Sequence, residues 1–216
     1  MTKTKFIPAL RFKWLTPLYD LLIGITMPET KIKRYLIEAA SINTGSTVLD
    51  FGCGTGTLTI MAKETSPGSK VTGIDIDVQI LNKAIQKVKE TKMDIFLLDY
   101  DGMHLPFQRN AFDRVISCLV FHHLDTDTKQ NMLAEIFRVL NKDGQLLIAD
   151  FGLSKSWIQR TLFNLIRGLD GFKPTDANAK GLLPELIADS GFKNVDIQRR
   201  FKTMFGEVQI ISAEKI

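Results

Sequence analysis

Cysteine is scarce in this chain, with only Cys53 and Cys118 among 216 residues. Two thiols cannot build a framework of bridges, and they lack metal-ligand spacing. Neither a disulfide scaffold nor a structural zinc is therefore expected, and both thiols suit a reducing compartment as small apolar side chains. Long apolar runs are missing too. The stretch from Leu15 to Met27 is interrupted by Pro17, Tyr19 and Asp20, and no small-residue cleavage site follows it. A soluble, cytoplasmic protein is expected, its basic N-terminus either packed on its own domain or touching a membrane surface peripherally. Repeats, low-complexity tracts and linker-like Ser/Gly/Pro runs are also missing, so nothing divides the chain into two domains. What remains is a chain with 44% hydrophobic residues and 14 Phe, enough to bury a full core without staples.

Apolar, β-branched runs of four to six residues alternate with longer amphipathic stretches, the pattern of buried parallel strands joined by crossover helices. Strands are expected at Thr47 to Phe51, Lys70 to Asp75, Asp94 to Asp99, Ala111 to Cys118 and Gln145 to Asp150. Helices are expected at Pro28 to Ile42, Thr57 to Thr65, Val78 to Thr91 and Asp127 to Leu140. After Asp150 the pattern changes to a helix around Ser156 to Gly168, a loop with Pro174, a helix near Leu182 to Ser190, and a hairpin from Lys193 to Phe201 and Thr203 to Ala213. The fold class is thus α/β, a Rossmann-like doubly wound sheet.

The segment Asp50-Phe51-Gly52-Cys53-Gly54-Thr55-Gly56 runs from a buried strand into a glycine-rich turn and then a helix, the place where open α/β sheets bind nucleotides through bare backbone. A dinucleotide fingerprint would put its third glycine at position 57, which is Thr57. The spacing here is D-x-G-x-G-x-G, which disfavours a nicotinamide-dependent dehydrogenase. It resembles the first motif of class I S-adenosylmethionine (SAM) dependent methyltransferases. That resemblance implies a mostly parallel seven-stranded sheet with a C-terminal antiparallel hairpin. It also implies SAM as cofactor and S-adenosylhomocysteine (SAH) as product, with Gly52, Cys53, Gly54 and Gly56 around the methionine and ribose. Asp50 would reach the amino group directly or through water, or else cap the following helix.

Nineteen positions after Gly56, Asp75 closes the second strand where a ribose-binding acid belongs, with Ile76 next to it and Asp77 placed as a helix cap. Asp99-Tyr100-Asp101-Gly102-Met103-His104-Leu105-Pro106-Phe107 resembles the family segment that holds adenine. Counting back from Leu105-Pro106-Phe107 assigns Asp101 and Gly102 to it, or Asp99 if the loop is shifted. The fourth strand ends at Cys118, where the family's backbone passes the methionine part of SAM, and continues to Leu119-Val120-Phe121-His122-His123. A neutral imidazole titrates near neutral pH and can take the proton that an oxygen or acidic carbon nucleophile loses on attacking a sulfonium methyl. His122, His123 and Asp150, which ends the fifth strand, are the catalytic candidates. Asp150 would orient a histidine, cap the next helix or bind substrate, and for an amine acceptor the histidines would only bind. No metal is implied.

The resemblance is specific from Val48 to Phe151. It implies one methyltransferase domain over residues 1–216, with an N-terminal helical lid (1–44), a SAM-binding core (45–150) and acceptor-side helices and strands (151–216). Tyr19-Asp20 is also similar to quinone-biosynthesis C-methyltransferases and phospholipid N-methyltransferases. The quinone enzymes, however, typically carry Arg-Asn where this chain has His122-His123, which speaks against that particular substrate. A small-molecule acceptor is expected, with the protein a monomer or homodimer. A SAM-binding regulator without catalysis is the alternative. An RNA methyltransferase is less favoured, because no Asn-Pro-Pro-aromatic motif and no basic-aromatic interleaving accompany the pI near 9.0, and no nucleic acid is expected. The net charge of +4 is uneven. Residues 1–44 carry seven Lys/Arg against three Asp/Glu, the core to 150 carries 11 against 14, and the remainder ten against seven. Basic ends around an acidic core point to an anionic or membrane-surface acceptor.

Overall fold

Adjacent apolar residues along the strands are sent to opposite faces of one sheet, which is what a period of two dictates when helices cover both sides. In the computed structural model, which describes residues 28–152, 181–203 and 206–216, seven strands form that sheet: β1 (Thr47–Phe51), β2 (Lys70–Asp75), β3 (Ile95–Asp99), β4 (Phe112–Cys118), β5 (Leu140–Gly152), β6 (Lys193–Thr203) and β7 (Gly206–Glu214). Their order is β3-β2-β1-β4-β5-β7-β6, with the first five parallel and β7 antiparallel between β5 and β6. The expected mostly parallel sheet with an antiparallel C-terminal hairpin is thus present. The helix expected at Ser156 to Gly168, the loop at Pro174 and the N-terminal 27 residues lie outside the described residues.

The helices are α1 (Glu29–Ala40), α2 (Thr57–Thr65), α3 (Val78–Thr91), α4 (Thr126–Val139) and α5 (Leu183–Asp189). One face of the sheet packs Val48, Ile116, Leu147 and Ile210 against Ile32 and Leu36 of α1 and Leu58 and Ala62 of α2. The other packs their chain neighbours Leu49, Val115, Ile148 and Ile211 against Met132, Leu133 and Ile136 of α4 and Ile187 of α5. Each fully buried Leu or Ile contributes roughly 1.5–3 kcal/mol, so these two layers hold the carboxyl edge of the sheet rigid.

Several boundaries shift from expectation by a residue or two, and two shifts have a visible cause. The fifth strand begins at Leu140 rather than Gln145, directly after α4. Leu140 pairs with Phe112 and Gln145 with Arg114, and the extra residues bulge out at Asp143, where φ is +61°. Lys215 secures the bulge, donating through Nζ to the Leu140 carbonyl at 2.6 Å and through its backbone N–H to Gly144 at 3.0 Å. A residue far along the chain thus helps decide where the strand begins. Thr203, expected to open the last strand, closes β6 instead, with its hydroxyl donating to the Gly206 carbonyl at 2.9 Å.

Candidate active site

The strand order reverses between β1 and β4, so the loops leaving their carboxyl ends part and open a crevice. The glycine loop after β1 forms one wall. Gly52 and Gly56 are packing positions: a Cβ on Gly52 would come within 2.5 Å of Val120, and one on Gly56 within 3.1 Å of Ala84. Gly54 is different. Its φ is +54° and nothing lies within 4 Å of where a side chain would start, so its backbone faces open space. That is what a loop wrapped around a ligand requires. Cys53 is buried against Gly73, and burial pushes its thiol far up, so any role it has toward a ligand is through its backbone.

Asp75 ties the loop to β2. Its Oδ2 accepts from the Gly54 N–H at 2.8 Å and its Oδ1 from the Asp77 N–H at 2.9 Å. A carboxylate has about four acceptor positions, so two remain for a pair of hydroxyls. Asp77 caps α3 as expected, accepting from Gln79 and Ile80. Ile76, exposed, lies over Gly102, where a Cβ would come within 2.6 Å of its Cδ1. The two residues form one apolar corner. Asp101 is exposed and accepts from the Met103 and His104 N–H groups at 2.7 and 2.8 Å, which hold it below the usual carboxylate range and shape the loop after β3. Asp99 ends β3 beside Asp75 in register. A groove of about 560 Å³ continues past Gly102 between Met103, Arg109 and Arg138, away from the glycine loop.

Asp50 departs from the open crevice. Its carboxyl is 1% exposed and accepts from the Thr59 hydroxyl of α2 at 2.6 Å. Burial pushes it up to about 7, against the smaller effects of that hydrogen bond and of Lys33.

At the end of β4, Cys118 is half-buried with its thiol pushed far up by burial. Leu119, at φ +60°, turns the chain into a 3-10 turn over Phe121–His123. The turn is pinned to β5 by one carboxylate. Asp150 is fully buried and accepts from the Phe121 N–H at 2.7 Å, from the Phe151 N–H at 2.7 Å and from His122 Nδ1 at 2.9 Å. Burial opposes its ionisation, but the charge and hydrogen bond of His122 outweigh that and hold it below the usual carboxylate range. An ionised carboxylate only accepts, so the proton of the 2.9 Å contact sits on His122 Nδ1, and Nε2 is the other ring nitrogen. His123 is exposed, its ring 3.9 Å from that of His122, whose charge pushes it down to about 3. The two histidines are therefore not equivalent, and only His122 has the orienting acid.

Two participants were not visible as site residues in the sequence. Thr59 carries no motif. Lys129 is wholly buried in α4, its Nζ donating to the Leu124 carbonyl that ends the 3-10 turn, and burial pushes it down to about 8. It precedes the buried Met132 and Leu133 by three and four positions, so helical spacing placed it on the core face. Among the described residues no helix is long and apolar enough to cross a membrane, and no group of three His, Cys, Asp or Glu could hold a metal ion.

Residues 48–144 match the model of a methyltransferase domain family. A demethylmenaquinone methyltransferase of Thermus thermophilus is 31% identical over 142 residues, spanning 65% of this chain and 64% of that protein. Another, of Lactobacillus johnsonii, is 28% identical over 210 residues, spanning 87% and 85%. Over 91% of its length the chain also superposes on a SAM-dependent methyltransferase of Aquifex aeolicus, covering 98% of it, with a TM-score of 0.67 at 18% identity. The match to that family model, which runs through the glycine loop, and this sheet order place the chain in the class I SAM-dependent methyltransferase family.

Proposed function

We propose that the protein transfers a methyl group from SAM to a small acceptor whose attacking atom must lose a proton, an O–H or C–H acid of the phenol or quinol type. The observation that carries this reading is the 2.9 Å contact between His122 Nδ1 and Asp150 Oδ1 at the carboxyl edge of the sheet. An amine would need no such pair. Two relatives are named demethylmenaquinone methyltransferases, and the reduced form of such a quinone is an acceptor of that chemistry, which supports the class without naming the molecule.

The residues fit the donor. Gly54 offers open backbone, Asp75 two free acceptor positions and the Ile76–Gly102 corner an apolar wall for a flat ring, with Asp101 at its rim. When bound, SAM supplies a sulfonium-activated methyl group. The chain's own residues then bind, align and exclude water, an effect worth up to roughly 7–11 kcal/mol in the best cases. His122 Nε2 takes the acceptor's proton, and the buried Asp150 stabilises the imidazolium that results. Arg199 and Lys202 on β6 and the basic residues 1–44 supply the positive ends that favour an anionic acceptor or surface.

The test is transfer from labelled SAM to reduced demethylmenaquinone, a panel of small phenols and an amine control. The expected result is product with a hydroxylated acceptor, and turnover lowered at least a hundredfold by His122→Ala with SAM affinity unchanged. Full turnover in that variant, or transfer to the amine alone, would refute the reading.

A further inference from the structure

Strand β7 alternates Glu207-Val208-Gln209-Ile210, an ordinary half-solvated pattern, yet Glu207 and Gln209 are 7% and 4% exposed. Both are on the strand that pairs with the one carrying Asp150. In the antiparallel register Gln209 faces Asp150 and Glu207 faces Gly152, so these side chains share the face of the sheet that carries the His122 partner, about 5 Å away across the strands. The Gln209 carboxamide rests on Gly152: a Cβ there would fall 2.1 Å from its Cδ and 2.5 Å from its Oε1. Only glycine at 152 leaves that shelf.

The amide is also oriented. Arg200 Nη1 donates to Glu207 Oε1 at 2.7 Å and fixes the carboxylate, which accepts from Gln209 Nε2 at 3.4 Å. The NH2 group thus turns toward Glu207 and the carbonyl oxygen turns away. Among the described residues nothing donates to that oxygen. A buried carbonyl without a donor is uncommon, because water is lost and nothing replaces it.

We propose that Gln209 is a specificity-determining residue for the methyl acceptor: its carbonyl oxygen accepts a hydrogen bond from a second hydroxyl of the acceptor, beside the atom that His122 deprotonates. This rests on the methyl-transfer reading above and narrows its acceptor to one with two hydroxyl groups. A site built to bond a hydroxyl rejects the analogue without it more strongly than an apolar pocket rejects a lost methylene, since its polar group is left unpaired. Glu207 and Arg200 are positioning residues that set the amide's orientation, and Gly152 gives it room.

The experiment is equilibrium binding of 1,4-dihydroxynaphthalene, kept reduced, and of 1-naphthol to the full chain, with and without SAH. Wild type should favour the diol roughly tenfold. Gln209→Met, nearly isosteric and without the carbonyl, should bind both equally with SAH affinity unchanged. Should that variant fold poorly, Gly152→Ala displaces the amide and should erase the same preference. Equal affinities in wild type, or a preference retained in the folded variants, would overturn the proposal. Failure of the donor-site reading shows separately, as loss of SAH binding by wild type while the preference between the two naphthols is still measured without SAH.

Discussion

Asp50 offers a quantitative check on the buried end of β1. Its carboxyl is 1% exposed, bonded to Thr59 and pushed up to about 7 from 3.8. Asp50→Asn keeps the volume and the acceptor oxygen for Thr59 but removes the titration. Below pH 3.8 the wild-type carboxyl is protonated in folded and unfolded chains alike, and the stability it contributes is fully present. As pH rises toward 7 the unfolded chain releases the proton while the folded one retains it, so that stability is lost. At about 1.4 kcal/mol per pH unit over this interval, the wild type forfeits on the order of 4 kcal/mol relative to the Asn variant by pH 8. Urea unfolding of both proteins from pH 4 to 8 reads the difference directly, since all other groups cancel. The expected result is near-equal stability at pH 4 and an Asn variant ahead by several kcal/mol at pH 8. Parallel stability curves across that range would refute the assignment of a buried, protonated Asp50.

Asp75→Ala should weaken SAM binding roughly a hundredfold by titration calorimetry, because it removes the acceptor positions for two hydroxyls as well as the brace on Gly54; unchanged affinity would count against the donor site. Asp150→Asn should lower turnover about as much as His122→Ala, and the rate of the remaining activity should climb with solution pH, as bulk base replaces the lost one. Against Lys129→Met, wild type should gain stability as pH rises from about 8 to 10.5, the interval in which the unfolded chain binds the proton and the folded one does not; a flat difference would contradict the burial of a cation-forming group there. If the basic ends attract the acceptor, KM for an anionic acceptor should rise several-fold between 50 and 500 mM salt, roughly, with kcat unchanged.

Much of the fold was legible because its signals are local. Alternating apolar runs placed all seven strands, and the D-x-G-x-G-x-G spacing placed the glycine loop where the sheet opens. The signals that failed were those a distant residue overrides. Lys215 holds the start of β5 at Leu140, and Gly206 draws Thr203 into β6. At the site, the sequence listed Asp50 and Asp75 alike as acids near a strand end, but one turns into the α2 contact and the other toward the crevice.

Local pattern set the residue types at the carboxyl edge and the period that carries them there, since backbone sterics and apolar alternation read only near neighbours. Which of two adjacent histidines has an acid behind it was decided by β5 lying next to β4, 28 residues downstream, and by the 2.9 Å approach of Asp150 to His122. Gln209 was hidden for the same reason. Its alternation looked like a solvent face, and only the pairing of β7 with β5 set it opposite Asp150, on a covered face. Desolvation and hydrogen bonding depend on what surrounds a group in three dimensions, and that environment exists only once the strands have paired.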